Sequence, residues 1–278
     1  IVNSAGVLTL SSSNIFGNTA GNGGGIYNEG GLLTLNNSTV SDNTAQHGGG
    51  ISNDNEGAVT LSNSTVSGNT AQYGGGISNQ TGTFTLTNST VSGNTATTNG
   101  GGITISTLPN IYALPVQVML FYCTVYGNSA SVGGGIGIGN LAKKSLVTMG
   151  ASIVAGNHAD TGPDISGILT TDGYNLIQSF SGAAFFDPHK KHSTDISGEK
   201  FPNLGIDPML RDNGGLAKPR TLTHALLPGS PAIDAIPLQY CQIMSKGVLS
   251  RLYIDQRSMK RPDENESACD IGAYESSP

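Results

Sequence analysis

Two hundred and seventy-eight residues carry 40 Gly, no Trp, 12% charged and 6% aromatic side chains, with a formal net charge of −6. So little charge excludes a coiled coil or a charged disordered tail, and 19 acids against 13 bases exclude a basic nucleic-acid binder. No apolar stretch approaches the roughly 20 residues of a membrane helix, and Gly falls well short of collagen's one in three.

The charge is unevenly spread. Residues 1–160 hold 29 of the 40 Gly, five acids (Glu29, Asp42, Asp54, Glu56, Asp160) and two bases (Lys143, Lys144). This stretch is a repeat. Gly-Gly-Gly-Ile recurs at 23–26, 48–51, 74–77, 100–103 and 133–136, in steps of 25, 26, 26 and 33 residues. In phase with it run LTLNNSTVSDNTA (33–45), VTLSNSTVSGNTA (59–71) and FTLTNSTVSGNTA (84–96), with degenerate copies from Leu8, Val118 and Val147. A fixed period of 20–50 residues marks a solenoid or array. The unit is rich in Gly, Thr, Ser, Asn and Val, and its apolar residues alternate, which predicts short strands buried on one face. It has no leucine-rich ladder and is too short for a propeller blade. The fold class expected is all-β, a parallel β-helix with rungs of about 25 residues.

Three inward ladders follow from the phase. They are Ile26, Ile51, Ile77, Ile103 and Ile136; Leu10, Leu35, Leu61, Leu86, Leu120 and Met149; and Ile15, Val40, Val66, Val91, Val125 and Val154. A corner Asn recurs as Asn18, Asn43, Asn69, Asn94, Asn128 and Asn157, and is expected to stack as an amide ladder and to tolerate a left-handed corner. The Gly triplets suit a turn needing positive φ and close backbone approach, since no Lys or strand–loop–helix context marks a phosphate loop. Outward Thr residues form two candidate binding columns: Thr34, Thr60 and Thr85, and Thr39, Thr65, Thr90 and Thr124. The insert 108–119, with Pro109 and Pro115, is expected to protrude, offering Ile111 and Tyr112 for recognition or packing back on the scaffold.

Beyond residue 160 come the other 14 acids, 11 bases and 11 Gly. The chain therefore divides into regular repeats at 1–165 and a less regular continuation with a loop-rich C-terminal cap at 166–278. His189-Lys190-Lys191-His192 reads as a solvated loop rather than a metal site, because the lysines repel a cation. His224 reads as a hydrogen-bonded structural residue. Asp207, Asp212, Asp234, Asp255 and Asp270, with Arg211, Arg220, Arg257 and Arg261, are the one concentration of catalysis-type groups. Their Gly- and Pro-punctuated setting favours caps and salt bridges. Cys123 replaces the Ser of Asn-Ser-Thr-Val and reads as a small rung residue.

The Asn-x-Ala…Gly-Gly-Gly-Ile rhythm resembles the repeats of bacterial β-helix surface proteins, including polymorphic outer membrane proteins. Gly173-Tyr174-Asn175-Leu176-Ile177, Asp212-Asn213-Gly214-Gly215, Leu222 to Asp234 (LTHALLPGSPAID), Asp255-Gln256-Arg257, Arg261-Pro262 and Cys269 to Glu275 (CDIGAYE) together resemble the choice-of-anchor Q domain of secreted bacterial proteins. The resemblance implies a right-handed parallel β-helix, exported and displayed on the cell surface. It supplies no catalytic residues. The chain departs from the pattern with a bulky insert at 236–253, and with Ser258 where Gly usually follows Asp-Gln-Arg. In an exported protein, Cys241 and Cys269 would form a disulfide closing a loop of about 29 residues, with free thiols as the alternative; in the chain-entropy model the bond contributes on the order of 3–4 kcal/mol.

The leading functional expectation is a non-enzymatic surface module, secreted or cell-surface, that binds glycan or a host or cell-surface protein, or serves as a stalk. No cofactor is expected, because the scattered acids do not indicate Ca²⁺; nucleic acid is not a partner. A polysaccharide lyase or hydrolase is the enzyme alternative, and the rung faces lack the clustered carboxylates and base it needs. Ice binding and self-association through the helix ends complete the alternatives. No signal peptide is visible, and Ile1 falls partway through a repeat, so a mature or truncated chain is expected.

Overall fold

The computed structural model describes residues 1–106, 115–139, 141, 145–185, 193–245, 248–262 and 267–276. The alternating rung residues form a parallel β-solenoid of about six regular coils, about 26 residues apart, followed by less regular ones. Each full coil contributes one strand to each of three sheets.

Sheet 1 runs through Val2–Ser4, Ile26–Glu29, Ile51–Asp54, Ile77–Asn79, Ile103–Ile105 and Ile136–Ile138. Sheet 2 runs through Val7–Ser11, Leu32–Asn36, Ala58–Ser62, Thr83–Thr87, Gln117–Phe121 and Leu146–Gly150. Sheet 3 begins with Asn14–Phe16, Thr39–Ser41, Thr65–Ser67, Thr90–Ser92, Thr124–Tyr126 and Ile153–Ala155, and continues through Leu176–Ile177 to Ile196–Ser197. The longer strand Ile165–Gly173 turns the corner and joins sheets 1 and 2.

All three inward ladders stack in register, residue on like residue. Their members from coils 2 to 4 are fully buried or nearly so. Each such aliphatic side chain contributes about 1.5–3 kcal/mol relative to an exposed one.

The corners explain the glycines. The first Gly of each triplet has positive φ, for example 56° at Gly23 and 64° at Gly74. The second and third lie where coils touch: a Cβ on Gly24 would collide with the carbonyl of Gly49, and one on Gly25 with that of Gly50. The corner after sheet 3 corrects one expectation. Its left-handed residue is not the ladder Asn but the residue before it: Gly17, Asp42, Gly68, Gly93, Gly127 and Gly156. The Asn side chain turns inward instead and bonds to the next coil.

That Asn stack is continuous. Nδ2 of Asn18, Asn43, Asn69, Asn94 and Asn128 each donates to Oδ1 of the next Asn at 2.9–3.0 Å. Every amide thus points the same way, so the last must meet a pure acceptor. Asn157 meets the carboxylate of Asp164 at 2.9 Å. Two more polar columns run through the coils. Asn3, Asn28, Asn53 and Asn79 form a second amide stack under sheet 1, with steps of 2.7–2.8 Å. Ser38, Ser64, Ser89 and Ser152 accept the backbone N–H of the preceding coil. Cys123 stands in this Ser column, fully buried, with its thiol pushed up to about 12 by burial.

The expected C-terminal cap lies along the side of the solenoid. The described residues between 203 and 276 form an arm over the outer face of sheet 3. The arm has its own small core, in which Ile206, Leu226, Ala232, Ile236, Leu252 and Ile271 pack with Tyr122, Ile153 and Leu176 of the coils. Cys241 and Cys269 are bonded, with Cα atoms 6.1 Å apart, beside the pairing of Ile236–Pro237 with Ala268–Cys269.

Candidate binding face

The three sheets differ in what covers them. Outside sheet 1, a column of Asn22, His47, Tyr73, Asn99, Val132 and Thr161 climbs in register, and a Cβ on Gly137 of sheet 1 would collide with Asn99 Oδ1. Ser52, Ser78 and Thr104, which face outward from sheet 1, are accordingly buried.

Sheet 3 is covered by the arm, and here its hydroxyls act as fasteners. Thr65 Oγ1 donates to the carbonyl of Leu222 at 2.8 Å, and Thr90 Oγ1 to Gln256 Oε1 at 2.7 Å. Gln256 Nε2 donates back to Thr65 Oγ1 and to Thr221 Oγ1. Thr124 Oγ1 accepts the N–H of Ala273, and Asn88 Nδ2 donates to the carbonyl of Ile254. Thr65, Thr90 and Thr124 are therefore buried, and the sequence-based assignment of all three to an outward binding column is corrected. Thr39, one coil earlier, stays half-exposed. The sequence missed this because it does not reveal that residues 221–273 return to these rungs.

Among the described residues, nothing covers sheet 2 over coils 1–4. Thr9, Thr34, Thr60 and Thr85 stand in one register column, flanked by Ser11, Asn36, Ser62 and Thr87 on one side and by Val7, Leu32, Ala58 and Thr83 on the other. All twelve are exposed or half-buried, and none is ionisable. Neighbouring coils are about 4.8 Å apart, and columns about 6.7 Å apart, in such a sheet. The Thr column does not lose register at the long fifth coil, where Thr85 pairs with Met119 and Met119 with Thr148. What changes is chemistry: Met119 and Phe121 pack into the arm's core. The hydroxyl face thus ends where the arm's cover begins. Ile111 and Tyr112 lie outside the described residues, as do His189 to His192.

The acid–arginine concentration in the arm is structural in geometry. Arg257 pairs with Asp255 at 2.7 Å, stacks 3.6 Å from the centre of the Tyr274 ring and donates to the carbonyls of Asn213 and Glu275. Arg261 donates to the carbonyls of Asp270 and Gly272 and stacks on Tyr122. Its Nε lies 3.3 Å from Glu275 Oε2, an ion pair without an aligned hydrogen bond. Both pairs are almost fully buried. Burial pushes Glu275 up to about 8, with the Asp270 and Asp255 charges adding to the rise and Arg261 opposing it. The outer pairs, Arg211–Asp207 and Arg220–Asp212, both at 3.1 Å, are exposed except for the half-buried Asp207.

Ser92 and His224 have the spacing of a nucleophile and base. Ser92 Oγ lies 2.8 Å from Nε2, and Nδ1 lies 2.7 Å from the Asp207 carbonyl, so Nδ1 carries the proton. Both residues are buried between the arm and sheet 3, where a substrate has no approach, and the contact fastens the arm to the sheet. A cleft of about 490 Å³ near the corner after the sixth coil is lined by Asn157, His158, Asp160 and Gln178, without a carboxylate pair. Among the described residues no group of three His, Cys, Asp or Glu is placed to hold a metal. Compared with family models, curated proteins and solved structures, the chain matches none.

Proposed function

We propose that the chain is a non-enzymatic module of a bacterial surface or secreted protein, akin to choice-of-anchor Q and polymorphic outer membrane protein repeats. It presents the open part of sheet 2 to an uncharged partner, glycan or protein, on another surface. The observation that carries this reading is the register column of Thr9, Thr34, Thr60 and Thr85 on the one sheet left uncovered among the described residues. Regular uncharged hydroxyls on a rigid backbone lose little entropy on binding, and an uncharged face has no ions to desolvate. The Cys241–Cys269 bond supports an oxidising compartment. The buried, backbone-bound state of Asp255, Asp270, Glu275, Arg257 and Arg261 argues against a lyase or hydrolase built on them.

Beads coated with the chain should attach to bacterial or host cell surfaces, and Thr60→Arg together with Thr85→Arg should abolish the attachment. Attachment indifferent to both substitutions would remove the face from this role and leave a stalk. The same hydroxyl array favours a second reading, binding to ordered water at an ice surface, which thermal hysteresis measures directly.

A further inference from the structure

The molecule already contains one hydroxyl column with an occupant, and that occupant is polypeptide. On sheet 3, Thr65, Thr124 and the corner residue Asn88 bond the main-chain groups of Leu222, Ala273 and Ile254. The carbonyl of Ala151 likewise accepts the N–H of Gly272 at 2.9 Å. An irregular chain is thus held by column hydroxyls and corner groups that read its backbone. Sheet 2 carries the equivalent column, in the same register, without an occupant among the described residues.

We infer that the open face of sheet 2 docks an extended, uncharged polypeptide segment of a partner, lying along the solenoid axis in the polyproline II conformation; this rests on reading that face as an interaction surface. Three features favour such a segment. Its backbone makes no internal hydrogen bonds, so its carbonyls are free to accept from Thr hydroxyls. Three of its residues advance about 9.3 Å and two coils about 9.6 Å, so every third carbonyl meets every second Thr. Three residues of a β-strand advance about 10 Å, but its successive carbonyls point to opposite sides, so every third one alternates between facing the Thr column and facing away. Beside the Thr column, Val7 and Leu32 are 78% and 45% exposed, giving an apolar strip for prolyl rings. No aromatic ring stands on this face over coils 1–4 to stack on a sugar, and no charge stands there to attract a charged peptide.

The test uses the full chain and two labelled probes, the dodecapeptide (Ala-Pro-Pro)₄ and cellohexaose, followed by fluorescence anisotropy. The peptide should bind saturably. Thr34→Arg and Thr60→Arg, each placing a bulky charge on the face, should each weaken it by about tenfold or more, while Thr60→Ser, which keeps the hydroxyl, should stay within about twofold. Both positions point outward, so either Arg variant serves if the other folds poorly. Peptide binding unchanged by the Arg substitutions would place the peptide elsewhere and overturn the inference. Binding of cellohexaose alone, lost in Thr60→Arg, would overturn the polypeptide assignment while upholding the interaction face. If neither probe binds, the polypeptide assignment fails, and the attachment assay then decides the face by itself.

Discussion

At the scale of single residues, the amide stack shows how a small polar group can belong to the core. Asn69 is fully buried, yet Oδ1 accepts from both the backbone and the side chain of Asn43, and Nδ2 donates to Asn94 and to the carbonyl of Val40. Replacing it by Ala leaves several buried groups without partners, each costing about 1–3 kcal/mol. Asn69→Ala should therefore destabilise by on the order of 2–4 kcal/mol in urea unfolding. Asn18→Ala should cost under about 1 kcal/mol, because Asn18 is exposed at the end of the stack and water can replace what is lost. Equal losses at both positions would mean that the Asn acts only as a local turn residue. The uniform direction of the stack also explains why its final partner is Asp164, whose carboxylate accepts from both Asn157 and the N–H of Ser179. Burial raises that carboxyl to about 6, the hydrogen bonds offsetting only part of the cost.

At the scale of elements, the arm gathers three carboxylates (Asp255, Asp270, Glu275) and two guanidinium groups (Arg257, Arg261) in one buried knot. One negative charge is in excess when all five are ionised, and burial raises Glu275 from 4.5 to about 8. The folded chain therefore binds more protons than the unfolded chain between these values. The contribution of Glu275 to stability is therefore fully present below about pH 4.5 and is lost as pH rises through about 8. Asp164 acts in the same direction, from 3.8 to about 6. Urea midpoints should fall from pH 5 to about 8.5, and Glu275→Gln should flatten the fall across this range, leaving only the part below about pH 6 that comes from Asp164. A profile that Glu275→Gln leaves unchanged would place the excess charge on another group. Much of this architecture was legible beforehand. The ladders were read because one coil repeats the next, and the second amide stack could have been read from Ile26-Tyr27-Asn28, Ile51-Ser52-Asn53 and Ile77-Ser78-Asn79. Which hydroxyl column stays open could not. Thr60 and Thr65 occupy similar sequence settings, and only the return of Leu222 and Gln256, more than 150 residues later, buries one of them.

At the scale of the whole molecule, the arm changes how the solenoid should unfold. A bare solenoid is held by contacts between neighbouring coils, so its parts can melt separately. The arm instead touches coils far apart: Ser12 of the first coil through the Lys218 carbonyl, Thr65 of the third through Leu222, Thr90 of the fourth through Gln256, and Thr124 of the fifth through Ala273. Opening one coil therefore strains contacts made by the others, and the structure should unfold as one unit. Gln256 is central, since its amide alone bridges Thr65, Thr90, Thr221 and the Leu222 carbonyl. Composition supplies separate probes. The chain has nine Tyr and no Trp, and Tyr122, Tyr126, Tyr240 and Tyr274 all lie in the arm or against it. Tyrosine fluorescence thus follows mainly the arm, while far-UV circular dichroism follows the strands. In the wild type the two urea transitions should coincide. In Gln256→Ala the fluorescence change should come first and the circular dichroism transition should broaden, because the coils have lost their common tie. Coincident transitions in that variant would show that neighbouring-coil contacts alone make the solenoid cooperative.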